Sequence, residues 1–92
     1  MNVTKTDQNA TKVLSASIRH DLVPNRIFVD DNGAVVFQFA SADGARTCEL
    51  ICNDTGIMAL KNNTMMNYLE SKTVKDLDDV LTELQNFIAG VI

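Results

Sequence analysis

One histidine, one proline, two cysteines and no tryptophan leave this chain of 92 residues with little of the usual equipment for chemistry. His20 is the single imidazole, so His20-Asp21 lacks the further ligands that metal-dependent hydrolysis needs. Adjacent helical residues also point about 100° apart, which rules the two out as a dyad with each other. His20 reads instead as a cap near the last carbonyls of a helix. Cys48 and Cys52 fall on one expected strand, where a rise of ~3.3 Å per residue sets their Cα atoms ~13 Å apart. A disulfide needs less than about 7 Å. Both are therefore expected to be reduced and buried, with no zinc site. The four glycines, Gly33, Gly44, Gly56 and Gly90, build no phosphate-binding loop. Ser15, Ser17 and Ser41 have no partner base by sequence, and Asp30-Asp31 reads as a turn rather than a metal pair. Catalytic, cofactor-binding and metal-binding roles are assigned to none of these positions, and no small-molecule substrate is expected.

The charge balance points the same way. A net charge of −4 argues against direct nucleic-acid binding. Lys5, Lys12 and Arg19 recur every seven residues and share one helix face, which reads as a solvated stripe. Single-strand binders need aromatic platforms in a basic groove, and three of the four phenylalanines here are expected in the core. No apolar run reaches membrane-spanning length, and the N-terminus lacks a signal-peptide core. A cytoplasmic protein without membrane contact is expected, so the Asn-X-Thr triplets carry no glycosylation reading. Residues 1–92 are expected to form a single compact α+β domain, with residues 1–5 frayed.

What the chain does have is a ladder of glycine turns. Asp31-Asn32-Gly33, Asp43-Gly44 and Asp54-Thr55-Gly56 separate short runs rich in Val, Ile, Phe, Leu and Cys. Glycine after Asp, Asn or Thr suits the left-handed backbone of a tight hairpin. A one-residue slip would exchange the faces of a strand, so each loop length is chosen to keep the apolar faces together. A three-residue loop at 31–33 pairs Val29 with Val35 and Ile27 with Phe37. A two-residue loop at Asp43-Gly44 pairs Phe39 with Cys48, Phe37 with Leu50 and Val35 with Cys52. A three-residue loop at 54–56 pairs Cys52 with Met58 and Leu50 with Leu60. The expected core rows are Ile27, Phe37, Leu50, Leu60 and Val29, Val35, Cys52, Met58. The segment 64–70 reads as a fifth strand or an ordered connection after a turn at Asn62-Asn63.

Helices bracket the meander. Ala10, Val13, Leu14, Ser17, Ile18 and Leu22 recur at helical spacing, with Thr6 and Asp7 as candidate caps and Pro24 as the stop. Thr73-Val74-Lys75-Asp76 resembles a capping box with Asp in place of Glu. The stripe Val74, Leu77, Val80, Leu81, Leu84, Phe87, Ile88 and Val91 follows, wide enough to pack on a sheet, although its spacing also suits a dimeric seam. The fold predicted is α+β: an N-terminal helix, a four- or five-stranded antiparallel meander and a C-terminal helix, with both helices on one face of the sheet.

The functional clue is on the other face. There Phe28, Val36, Ile51 and Ala59 are expected to form an apolar row, with Ile57 beside it and Arg26, Gln38, Glu49 and Lys61 as a polar row alongside. Strand propensity alone accounts for some outward Ile and Val, but an exposed apolar patch also marks an interface. A second candidate surface is the acidic helix face of Asp76, Asp79 and Glu83. The expectation is a non-enzymatic, acidic protein-binding module that uses the outer sheet face for homodimerisation or capture of a protein partner. Two further classes fit the same composition: a small inhibitor of a nucleic-acid-handling complex carried by a phage or mobile element, and a chaperone-like dimer holding an unfolded segment.

Overall fold

The structure, a computed structural model, describes residues 4–90. Helix α1 (Lys5–Arg19) precedes five strands, β1 (Arg26–Val29), β2 (Val35–Ala40), β3 (Arg46–Asn53), β4 (Gly56–Asn63) and β5 (Tyr68–Thr73), and helix α2 (Leu77–Ala89) closes the chain. The strands form one sheet in the order β1-β2-β3-β4-β5, each pair antiparallel. Both helices pack on the same face of it, as expected for this α+β class. The core consists of Val13 and Ala16 of α1, Phe37, Phe39, Cys48, Leu50, Cys52 and Ala59 of the sheet, and Val80, Leu81 and Leu84 of α2.

Two hairpins have the expected register. Val29 faces Val35 and Ile27 faces Phe37. Asp30 accounts for that turn: its Oδ1 accepts from the N–H groups of Asn32 and Ala34, and Gly33 takes a φ of 83°. In the second hairpin Phe39 faces Cys48 and Phe37 faces Leu50. Its tip is wider than a two-residue turn, closed by a Ser41 N–H to Arg46 O bond and by Asp43, which accepts from Ser41 Oγ and Ala45 N–H.

The third hairpin departs from expectation by one residue. Its loop is Asp54-Thr55, so Asn53 faces Gly56, Cys52 faces Ile57 and Leu50 faces Ala59. The cause is Asn53, whose Oδ1 accepts from Thr55 N–H, Thr55 Oγ1 and Gly56 N–H and so closes the tighter loop. Every side chain of β4 is then on the face opposite to the expected one. Ala59, Ile57 and Lys61 turn toward the helices, while Met58 and Leu60 turn away. The small Ala59, 2% exposed, occupies the core position assigned to a leucine.

The element ends also differ. Thr4, whose Oγ1 accepts from Asp7 N–H, caps α1 in place of Thr6 or Asp7, so Thr4 and Lys5 form the helix start; residues 1–3 and Val91 lie outside the described residues. Thr6 is drawn instead to Asp54, which accepts from its N–H and Oγ1. Thr73 ends β5 and is no cap; Asp76 caps α2 by accepting from Asp79 N–H. Residues Asn62 and Asn63 continue β4, and the turn falls at Thr64–Asn67, where Asn67 has a φ of 52°. The α2 stripe packs into the core rather than standing free as a seam.

The register makes a direct prediction. Leu50→Ala should destabilise the fold by roughly 2–5 kcal/mol, the range for large-to-small core changes. Leu60→Ala, at a half-buried position on the other face, should cost less than half as much in the same urea titration. Equal losses would restore the three-residue loop.

Candidate functional site

Three surfaces follow from this geometry, and they are not equally open. On the outer face the apolar row is Phe28, Val36, Ile51 and, in place of Ala59, Met58. It is partly closed on itself: Val36 is only 3% exposed, and Phe28 and Ile51 are half-buried. The Arg26 guanidinium lies over the Phe28 ring, 4.4 Å from its centroid. In the adjoining row Gln38 Nε2 donates to Glu49 Oε2 at 3.2 Å, and Leu60 stands where Lys61 was expected. Of the residues assigned to this face, Phe28, Val36, Ile51 and Glu49 are on it; Ala59, Ile57 and Lys61 are on the helix side.

The acidic helix face is not a free surface either. Glu83 points back at the sheet, where its Oε1 accepts from Lys61 Nζ at 2.6 Å and its Oε2 from Lys72 Nζ. Lys61 also lies 3.5 Å from Glu70, which accepts from the Tyr68 hydroxyl. The Lys61 ammonium sits 5.6 Å from the Phe87 ring centroid. Asp76 and Asp79 are both exposed, but Asp76 is committed to its cap, accepting from Asp79 N–H. This network clamps α2 onto β4 and β5. Hydrogen bonds from Lys61 and Lys72 hold the Glu83 carboxyl below its ordinary value of 4.5. Burial draws the Lys61 ammonium down, but the hydrogen bond to Glu83 and the negative charges of Glu83 and Glu70 together outweigh it, and the net shift is upward.

The third surface was not anticipated. On α1, Val13, Ala16 and Ser17 face the sheet. Lys12, Ser15 and Arg19 form the flank toward α2, where they share a groove with Leu77 and where Arg19 and His20 both reach Asp78, at 3.0 and 2.9 Å. At 3.6 residues per turn, Leu14 and Ile18 must occupy the opposite flank, over the β1 side of the sheet. Beyond them β1 lies outside the cover of either helix. Ile27 and Val29 are on the helix side, paired with the core residues Phe37 and Val35, yet they are 49% and 67% exposed. Leu14 is 45% exposed, Ile18 72% and Val23 78%. Leu14, Ser17, Ile18, Asp21, Leu22, Val23 and Pro24 line a groove of about 240 Å³.

The groove's shape is set locally. Helix α1 ends in a Schellman-type turn, with Leu22 N–H donating to Ser17 O and Asp21 N–H to Ile18 O. Asp21 takes the left-handed position, φ 53°, usually given to glycine. Pro24 then sends the chain into β1. Beneath the groove the Ser17 hydroxyl, 2% exposed, is the one buried side-chain polar atom among the described residues without a hydrogen-bond partner. The wheel position of Leu14 and Ile18, beside and not on the Val13–Ser17 line, is the sequence signal that marks this flank.

The nucleophile candidates are placed for packing. Cys48 and Cys52 are free and buried, and burial pushes their thiols up to about 12 and about 11. His20 is the C-cap of α1, as expected, with its Nε2 on Asp78. Among the described residues no three His, Cys, Asp or Glu side chains converge as a metal ion requires, and no helix is long and apolar enough to cross a membrane. Comparison with protein-family models, curated proteins and solved structures finds no match to this chain.

Two predictions test the local chemistry. A carboxyl whose pKa is depressed on folding stabilises the fold above its unfolded value and loses that contribution as pH falls through the folded value. The urea midpoint should therefore fall as pH drops below about 4.5, and Glu83→Gln should reduce that slope while lowering the midpoint at pH 7. Ser17→Ala removes an unpartnered buried hydroxyl and should stabilise the fold by ~1 kcal/mol in the same titration. A loss of stability would mean the hydroxyl is bonded.

Proposed function

We propose that this chain is a non-catalytic protein-binding module whose docking surface is the α1–β1 margin rather than the centre of the outer sheet face. The observation that carries the reading is the collection of exposed apolar side chains on that one margin. Leu14, Ile18 and Val23 line the groove at the end of α1, and Ile27 and Val29 are exposed on the edge strand that follows it. Single exposed apolar residues are ordinary, but a contiguous set bordering an open strand edge is a feature of surfaces that meet another protein. Edge strands accept an added strand through main-chain bonds, and neighbouring pockets take its side chains.

The outer row supports a smaller role in the same reading. Phe28 is the residue of that row nearest the open edge, so a partner at the margin also reaches it.

The test is a single charged substitution. Ile18→Asp, at a solvent-facing helix position, should leave the circular dichroism and the urea midpoint within about 0.5 kcal/mol of the wild type, as surface changes do. It should abolish the wild type's protein association, with itself or with a partner retained from a native extract. Association unchanged by Ile18→Asp and by Val29→Asp contradicts the reading.

A further inference from the structure

We propose that the occupant of this margin is a second copy of the chain, joined through antiparallel pairing of β1 with β1 about a two-fold axis at Phe28. The proposal rests on the docking reading above and identifies its partner.

The backbone groups of β1 point in the directions this pairing needs. Asp30 N–H donates to Ala34 O, so Asp30 and Ala34 are a hydrogen-bonded pair. Antiparallel pairs alternate between bonded and non-bonded, and Phe28–Val36 is therefore also bonded, as is Arg26–Gln38. The Gln38 carbonyl does face β1, where it accepts from Asn25 N–H. The N–H and C=O groups of Ile27 and Val29 must then point away from β2, toward the open edge of the sheet. An antiparallel pair centred on Phe28 brings Ile27 of one copy opposite Val29 of the other. Those are the two residues with free groups, so two bonded pairs form, one on each side of the axis. Phe28 meets Phe28 as the close, non-bonded pair. A pairing slipped by one residue to either side would match a residue with free groups to one without.

Charge selects the same register. The segment Arg26-Ile27-Phe28-Val29-Asp30 reads as cation, apolar, aromatic, apolar, anion. Reversal about Phe28 places Arg26 of each copy opposite Asp30 of the other, on the same face. Opposite charges in direct cross-strand position are favourable, and like charges are not. The segment is thus complementary to its own reverse. The other edge, β5, reads Tyr68-Leu69-Glu70-Ser71-Lys72-Thr73, and its charges are already drawn toward Glu83 and Lys61.

The apolar groups of the margin are covered by the same operation. Ile27 and Val29 would pack against Val29 and Ile27 of the second copy on the helix side, beneath the Leu14 and Ile18 flanks of both α1 helices. On the outer face the row Ile51, Val36, Phe28 would continue into Phe28, Val36 and Ile51 of the second copy, the two five-stranded sheets becoming one.

Sedimentation equilibrium of the purified chain tests this. The wild type should sediment at twice the chain mass. Arg26→Glu alone and Asp30→Lys alone should each sediment at the chain mass, because each sets like charges opposite one another twice. Their equimolar mixture should return to twice the chain mass, since the mixed pair is again complementary. Asp30 also closes its own turn, so two further variants guard against misfolding. Val29→Pro removes an N–H that bonds nothing in the same chain, and it should give a folded monomer. Phe28→Cys should form a disulfide between copies on oxidation, whereas Val36→Cys should not. A wild-type monomer at millimolar concentration overturns the proposal, as does a dimer that survives both Val29→Pro and the charge variants. A wild-type monomer whose protein partner is lost on Ile18→Asp overturns the second copy but keeps the docking margin. A monomer whose partner is kept on Ile18→Asp overturns both.

Discussion

The alternating burial of strand β3 is the constraint from which the other placements follow. Cys48, Leu50 and Cys52 are each no more than 1% exposed and lie beneath the helices, with β2 and β4 on either side. Two helices side by side, each ~10 Å across, cover about four strands at ~4.8 Å spacing, and this sheet has five. Helix α2 packs on β3 and is tied to β4 and β5 through Lys61, Lys72 and Glu83. Helix α1 crosses β3, tied at one end to Asp54 of the β3–β4 loop through Thr6 and at the other to Asp78 through Arg19. The strand left over is β1.

The two edges of the sheet are consequently unlike. The β5 edge carries Glu70 and Lys72, which answer charges on β4 and α2, and charged edges resist adding a strand. The β1 edge is short but apolar on both sides: Ile27 and Val29 toward the helices, Phe28 away from them. Its one cation and one anion flank the apolar stretch instead of interrupting it. The docking margin is the remainder of a packing problem, a strand too many for the helices that cover the rest.

The parts of this fold that backbone-compatible turns control were legible in the sequence. Asp30 with Gly33, and Asp43 with Gly44, set two registers from local chemistry alone. The third was misread because Asn53, a strand residue by its apolar neighbours, turns its side chain into the loop and shortens it. The expected register maximised apolar volume on the core face, whereas the core accepts Ala59 and leaves Leu60 outside. Lys61 and β5 were illegible for a related reason: Lys61, Glu70 and Lys72 lie on the helix side, where a charged residue belongs only if α2 supplies Glu83. No local pattern reveals that partner, and alternation fails on β5 for the same cause. Within the candidate site Phe28 was found because it repeats along an outer row. Ile27 and Val29 were assigned to the core because alternation reports the face of a strand and carries no information on how far a helix reaches across it.

Amide hydrogen exchange along β1 as a function of protein concentration is the most direct measurement of self-pairing at this edge. The N–H of Phe28 bonds to β2 and should exchange slowly at every concentration, while those of Ile27 and Val29 face the open edge. The Ile27 and Val29 amides should exchange rapidly in dilute solution and become protected together as concentration rises, with Phe28 unchanged. Exchange at Ile27 and Val29 that is independent of concentration, whether fast or slow, would contradict a second copy at the β1 edge.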